Sequence, residues 1–251
     1  MQLLHNCADL QAWCRQASAV PLHFVPTMGA LHSGHASLIT RARRRQHDRQ
    51  PRVLVSVFVN PLQFGPNEDF ARYPRSLEAD AALAQSAGAD ALFAPSVEEL
   101  YPAGEPELTR IQPPHSLQAR LCGRHRPGHF NGVATVVARL LGLIRPDQLL
   151  LGEKDWQQLV ILQRMAADLG LPVQVVGCPT LRESDGLALS SRNRYLSREQ
   201  RQQAAALPRA LADAAAAQLS PGCDLGATLA AVEQQLEQAG LMVDYVEAVC
   251  P

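Results

Sequence analysis

The chain has 251 residues, 47% of them hydrophobic and 19% charged, with a formal net charge of −1. That length suits one large domain or a large domain with a smaller companion, and the composition is that of a globular protein. Near-neutrality excludes a global electrostatic pull toward nucleic acid or anionic membrane, and no apolar run approaches membrane-spanning length.

The first ten residues include Asp9 and lack the apolar core of a secretory leader, so no leader is expected. Cysteines at 7, 14, 122, 178, 223 and 250 form no Cys-x-x-Cys pair, which points to reduced, packing thiols and a cytoplasmic setting. Residues 7–19 read as a helix and 22–25 as a first strand. Pro26-Thr27-Met28-Gly29-Ala30-Leu31-His32-Ser33-Gly34-His35 follows, and a helical pattern runs over 36–46. Strand, glycine turn and helix start in that order make an anion site, with backbone N–H groups and the helix dipole aimed at the ligand. Gly29 and Gly34 allow close backbone approach, and His32 and His35 add donors without a fixed charge. Two other readings stay open for such a pair, incidental turn polarity and zinc binding. No Cys or acid stands close by to complete a zinc site, and the Glu of His-Glu-x-x-His is missing.

Arg41, Arg43, Arg44 and Arg45 read as a solvated helix face. Residues 53–59 are β-branched and apolar on both faces, as in a parallel strand covered by helices on each side. Asn60-Pro61-Leu62-Gln63-Phe64-Gly65 lies beyond its carboxyl end, where open α/β sheets bind ligands, and the Gln63 amide offers both a donor and an acceptor. Ser76 is placed to cap a helix ending near 87, with Glu78 and Asp80 in its first turn. A short strand over 91–94, an extended piece over 109–112 and a cationic loop over 124–132 precede a helix over 133–144. Residues 147–151 form the next strand, from which Gly152-Glu153-Lys154-Asp155-Trp156-Gln157-Gln158 turns into a helix ending near 170. Lys154 is the chain's only lysine, a mobile point charge able to reach a phosphate. A strand over 173–178 completes five βα-type alternations. The polar stretch 182–194 then sets hydroxyls beside arginines and is suited to close over a triphosphate. Helices over 198–219, broken at Pro208, and 225–240 are followed by a strand over 243–249, and a domain boundary is expected near 180.

Four stretches, in order, carry a family likeness: His-Ser-Gly-His; Phe-Val-Asn-Pro-Leu-Gln-Phe-Gly; Gly-Glu-Lys-Asp-Trp-Gln-Gln-Leu; and Ser-Asp-Gly-Leu-Ala-Leu-Ser-Ser-Arg-Asn-Arg-Tyr-Leu. From about residue 20 to 197 the sequence resembles the pantothenate synthetases, ATP-dependent ligases of pantoate and β-alanine. The resemblance implies an α/β fold: a Rossmann-like parallel sheet of the HIGH-type nucleotidyltransferases over 1–180, binding ATP and pantoate, and a smaller C-terminal α+β lid over 181–251. It implies (R)-pantoate activation to pantoyl adenylate with release of pyrophosphate, then attack by β-alanine with release of AMP, in pantothenate biosynthesis. His35 is the family's proton donor. His32, Lys154, Ser190, Ser191 and Arg192 are its other catalytic positions, the last four holding the β- and γ-phosphates with Mg²⁺ bridging them.

Met28, Gly29, Ala30, Leu31, Ser33, Gly34, Gly152, Glu153, Asp155, Leu181 and Leu189 match ATP-contacting positions, several of them expected to act through backbone groups. Gln63 and Gln158 match the pantoate pair, Gln63 also meets β-alanine, and Asn60, Tyr73 and His129 are second-tier members. The Mg²⁺ ligands are not assigned. A cytoplasmic homodimer is expected, with small-molecule substrates and neither nucleic acid nor membrane as partner. Leu189 replaces the family's common Met, a volume-conserving change. The chain stops at Cys250-Pro251 where members usually continue for another strand or two, so an abbreviated lid is expected. Two other functions fit parts of the pattern: a nucleotidyltransferase whose product keeps the nucleotide, and a nucleotide-binding protein without turnover.

Overall fold

The structure is a computed structural model, and it describes residues 1–249 apart from 17–18, 45–48, 67 and 219–221. The expected ends of the helices over 7–19, 36–46 and 198–219 run into the undescribed residues, as do Arg45 and Cys250-Pro251. The chain divides into unit 1, Met1–Pro179, and unit 2, Thr180–Pro251.

Unit 1 is built on strands β1 (Gln2–Leu4), β2 (Leu22–Thr27), β3 (Arg52–Val57), β4 (Ala91–Phe93), β5 (Gln148–Gly152) and β6 (Gln174–Cys178). Among the described residues they form one sheet in the order β1-β4-β3-β2-β5-β6, with every pair parallel. Side chains alternate across a strand, and the alternation here serves two cores. Phe24, Leu54, Phe93, Leu149 and Leu151 face one. Val25, Val53, Val55, Leu92 and Leu150 face the other. Helices α1 (Cys7–Arg15), α7 (His129–Ile144) and α8 (Trp156–Asp168) cover the first face with Leu10, Trp13, Val133, Leu140, Leu159 and Leu162. Helices α2 (Ser33–Ala42) and α3 (Leu77–Ser86) cover the second with Leu38, Ile39, Ala42 and Ala84. Three short helices, α4 (Val97–Leu100), α5 (His115–Gln118) and α6 (Leu121–His125), lead into α7. The largely apolar runs of β3 and β5 thus follow from burial on both faces.

Strand order reverses between β2 and β5. From β2 the chain builds outward through β3 and β4, then returns to lay β5 and β6 on the opposite side. Ligands of open α/β sheets bind outside the carboxyl ends at such a switch point. Pairing of β2 with β5 ends at Phe24, and Pro26, with no N–H to donate, lies just beyond. The two strands part where the crevice opens.

Several local expectations need correction. Residues 109–112 and 243–249 form no strand, because no strand among the described residues lies alongside to pair with them. Strand β1, by contrast, was not expected, since its three residues gain their order only from β4. Helix α7 begins at His129 rather than 133, absorbing the last four residues of the cationic loop into its first turn, while Arg124 and His125 belong to α6. Ser76 precedes α3 without a side-chain capping bond. The break in the alanine-rich region falls at Ala205, between α9 (Arg198–Ala204) and α10 (Ala206–Gln218). Pro208 lies in the first turn of α10, where a missing N–H costs no intrahelical bond. Helix α11 (Leu225–Gln238) packs Val232 and Leu236 against Ala206 and Ala210 as the core of unit 2. No helix among the described residues is long and apolar enough to cross a membrane.

Candidate active site

The turn after β2 is held from both sides. Thr27 Oγ1 donates to Ser56 O at 2.6 Å and accepts the Gly29 N–H at 3.1 Å, tying the strand end to β3. Gly29 has φ +85°, and a Cβ there would meet Val57 Cγ1 at 2.9 Å and Asp80 Oδ2 at 3.0 Å, so glycine is required. Ala30 is also left-handed, with φ +49°. The Ala30 and Leu31 N–H groups donate to Asp80 at 3.0 and 2.7 Å. Two amides expected to face a ligand are therefore already engaged by a carboxylate that is only 2% exposed.

Helix α2 starts three residues earlier than its apolar pattern suggests, so the His-Ser-Gly-His segment is itself the first turn. His32 is the N-cap in extended conformation. Its Nδ1 accepts the Gly34 N–H at 3.1 Å, while the His32 N–H donates to His35 Nδ1 at 3.2 Å. Both Nδ1 atoms being acceptors, each neutral ring carries its proton on Nε2. The rings lie 4.1 Å apart at 39°. Burial, then His32 and then Lys154 push the His35 pKa down to about 3, so this ring is neutral at physiological pH. Together these features make two Nε2–H donors at the positive end of a helix.

Lys154 sits in a tight turn, Glu153–Asp155, directly after the carboxyl end of β5, with Nζ 3.2 Å from Asp155 Oδ1. The pair is exposed, and the lysine is close enough to contribute to the low pKa of His35. Glu153 packs over Gly177 of β6, within 3.1 Å of where a Cβ would stand.

Gln63 ends the turn Pro61–Gln63 that follows β3. Its Oε1 accepts from Asn60 Nδ2 at 3.1 Å, and its Nε2 approaches Met28 Sδ at 2.9 Å, so it reaches across to the turn after β2. Asn60 is 1% exposed; it also donates to Gly132 O at 3.1 Å and accepts from Tyr101 Oη at 2.9 Å. From the other side, His129 Nδ1 donates to Gln63 O at 2.8 Å and its Nε2 accepts from Arg126 at 3.1 Å. Burial holds His129 below the ordinary imidazole pKa. Arg126 is forked onto Glu68 through Nε and Nη2. Asn60 and His129 therefore brace Gln63, and Tyr73 is buried edge-on to Phe64 at 6.0 Å.

In the first turn of α8 the two glutamines differ. The Gln157 amide bonds Leu117 O, Arg120 O and the Gly123 N–H, fastening α5 and α6. Gln158 is half-buried, and its side chain makes no hydrogen bond among the described residues. No group of three or more metal-ligating side chains occurs among the described residues.

In unit 2, Arg182 and Ala188 bridge an antiparallel hairpin, and Leu189 N–H donates to Leu181 O at 3.0 Å. Arg201 pairs with both Glu183 and Asp185, and Asn193 donates to Glu183 at 2.9 Å. Ser190 caps the turn Ser191–Tyr195 by accepting the Arg192 N–H at 3.3 Å. Ser191 is buried, whereas Arg192 and Leu181 are exposed.

Unit 1 thus gathers Met28, Gly29, His32, His35, Gln63 and Lys154 around the carboxyl ends of β2, β3 and β5. Asp80 was read only as a first-turn acid of its helix. The overlooked signal is its spacing four residues before the buried Ala84, which puts a carboxylate on an apolar stripe. Tyr101, 41 residues from Asn60, carries no comparable signal.

The family model Pantoate-beta-alanine ligase matches residues 2–251. A "Bifunctional pantoate ligase/cytidylate kinase" of Synechococcus sp. (strain RCC307) is 60% identical over 98% of this chain and 47% of its own length. One of Thermosynechococcus vestitus is 55% identical over 93% and 45%. The chain spans about half the length of the curated relatives it matches. Pantothenate synthetase of Thermus thermophilus superposes with a TM-score of 0.86 at 52% identity, over 95% of this chain and 83% of that one. Pantoate-beta-alanine ligase of Francisella tularensis, solved with "Beta-gamma ATP and Beta-alanine", gives 0.85 at 34% identity over 100% and 90%. With a family model matched from residue 2 to residue 251, and that fold beneath it, the chain belongs to the pantoate-beta-alanine ligase family.

Proposed function

We propose that this chain condenses (R)-pantoate with β-alanine at the expense of ATP. The observation that carries the reading is the convergence of two neutral imidazoles, one lysine and a braced glutamine at the switch point of a parallel sheet. In the first step a pantoate carboxylate oxygen attacks the α-phosphorus, and the bond to the pyrophosphate oxygen breaks. Negative charge grows on the phosphoryl oxygens and the leaving group, so preorganised donors are what the reaction needs. The Nε2–H groups of His32 and His35 supply donors that carry no charge to be neutralised when substrate leaves, and Lys154 supplies the charge. In the second step the β-alanine amine attacks the acyl carbon, the acyl C–O bond breaks and AMP departs with its electron pair, and the proton of the resulting ammonium passes to solvent. Holding the adenylate away from water until then protects it from hydrolysis.

Gln63, fixed by Asn60 and His129, is assigned to pantoate and β-alanine, and Gln158, with an amide free to bond, to pantoate. Ser190, Ser191 and Arg192 are assigned to the β- and γ-phosphates through the family likeness. Mg²⁺, if bound with the triphosphate, would be held by its phosphate oxygens with one or two protein carboxylates and would neutralise charge there. We further propose a homodimer acting in the cytoplasm, which light scattering of the purified chain and fractionation would check. The deciding experiment follows AMP and pyrophosphate from ATP and (R)-pantoate, with and without β-alanine. AMP that depends on both acids supports the ligase, transfer of labelled nucleotide into an acceptor supports the nucleotidyltransferase reading, and ATP binding without either product supports the binding protein.

A further inference from the structure

Asp80 is a buried carboxylate that makes no ion pair among the described residues; its partners are the amides of Ala30 and Leu31. Burying an ionised carboxylate without a cation is costly unless it is fully hydrogen-bonded. The amides it takes are those at a strand end, where the anion of a ligand would ordinarily sit. Asp80 thus fills part of the expected phosphate cradle from inside the protein. The backbone it grips is unusual. Gly29 and Ala30 are both left-handed, and a left-handed non-glycine residue persists only where its surroundings over-determine it. Two residues on, the chain turns extended at His32 and presents both rings. The His32 N–H that orients His35 is the next amide after the one Asp80 holds at Leu31.

We propose that Asp80 is a positioning residue for adenylation. It touches no substrate. By locking Ala30 and Leu31 it sets the left-handed pair, and through that pair it aims the Nε2–H donors of His32 and His35. Incoming phosphate then meets the rings instead of the strand-end amides. The inference rests on the ligase reading for its kinetic consequence and on geometry alone for its effect on the rings.

The test is Asp80→Asn, which keeps shape but turns an NH₂ donor against one of two N–H groups. Pantoate-dependent pyrophosphate release is measured for wild type, D80N, H35A and D80N/H35A. Misaligned catalytic groups of this kind cost about a hundredfold. The expected result is a fall of that size in kcat, a pantoate KM within about threefold of wild type, and a double variant that loses less than the product of the two single losses. A D80N kcat within about threefold of wild type, or losses that multiply in the double variant, would overturn the proposal. Should D80N not fold, Gly29→Ala leaves the Asp80 side chain in place while pressing a Cβ to 2.9 Å from Val57 Cγ1 and 3.0 Å from Asp80 Oδ2, and the same signature is expected. Should wild type itself show no turnover, the ligase reading falls but the clamp is still read from imidazole ¹⁵N spectra. Both rings are expected as Nε2–H tautomers in wild type, with His35 losing that preference in D80N; unchanged spectra in D80N would sink the clamp.

Discussion

His35 acts as a neutral ring across the whole physiological range, because burial and two neighbouring basic groups oppose its protonation. On the proposed ligase reading its contribution is a hydrogen bond from a buried ring, which is worth more than the same bond in solution. Its Cε1–H resonance is expected to stay flat between about pH 5 and 8 in the free protein, where an ordinary histidine shifts near 6.5; a transition in that window would refute the assignment. His35→Ala is expected to slow pyrophosphate release by about 10²–10³-fold, as for a lost oxyanion donor, with little change in the pantoate KM. At this scale much of the site could be read from residues in sequence. The His-Ser-Gly-His turn, Gln63 and the lone lysine were visible because local motifs fix their chemistry. Asp80 acts through partners 50 and 49 residues away, and Asn60 and Tyr101 meet across 41; no local pattern reports such pairs.

Among elements, α7 is the brace on which the Gln63 loop rests. Its first turn supplies His129 to Gln63 O and the Gly132 carbonyl to Asn60, and the helix passes so close that a Cβ on Gly132 would stand 2.1 Å from Leu62 O. Gly132→Ala must therefore push the helix and the 61–63 turn apart. We expect a loss of about 1–3 kcal/mol in unfolding free energy, the usual cost of overpacking, together with a raised pantoate KM; denaturant titration and initial rates would check both. The long elements were legible for a different reason from the short ones. Helices α2, α3, α7 and α8 and strands β2, β3, β5 and β6 carry runs of apolar residues whose period survives any detail of packing. Residues 243–249 have the β-rich composition of a strand but no strand beside them among the described residues, whereas β1 has one beside it and too few residues to announce itself. Strand identity is a property of a pair, so a single segment reports it poorly.

For the whole molecule, His35 and Glu68 are among the groups that tie stability to acid. The His35 pKa is about 3 when folded against about 6.5 unfolded, so between those values the unfolded chain binds the extra proton and stability falls as pH drops. Arg126 holds the Glu68 carboxyl below the ordinary range, so that pair stabilises at neutral pH and is lost as pH falls through the folded value. Calorimetry from about pH 7 to 4 is expected to show Tm declining from about pH 6.5 and more steeply near 4. His35→Gln should flatten the upper part of that decline and Glu68→Gln the lower; a Tm independent of pH down to about 5 would contradict the first. The sheet order has a consequence in time as well. Gln2 pairs with Ala91, so β1 leaves the ribosome nearly ninety residues ahead of the strand it docks on. At about 5–20 residues per second that is a delay of roughly 5–20 s. For that interval the Gln2–Leu4 segment travels as an unpaired edge, waiting for the strand that will receive it.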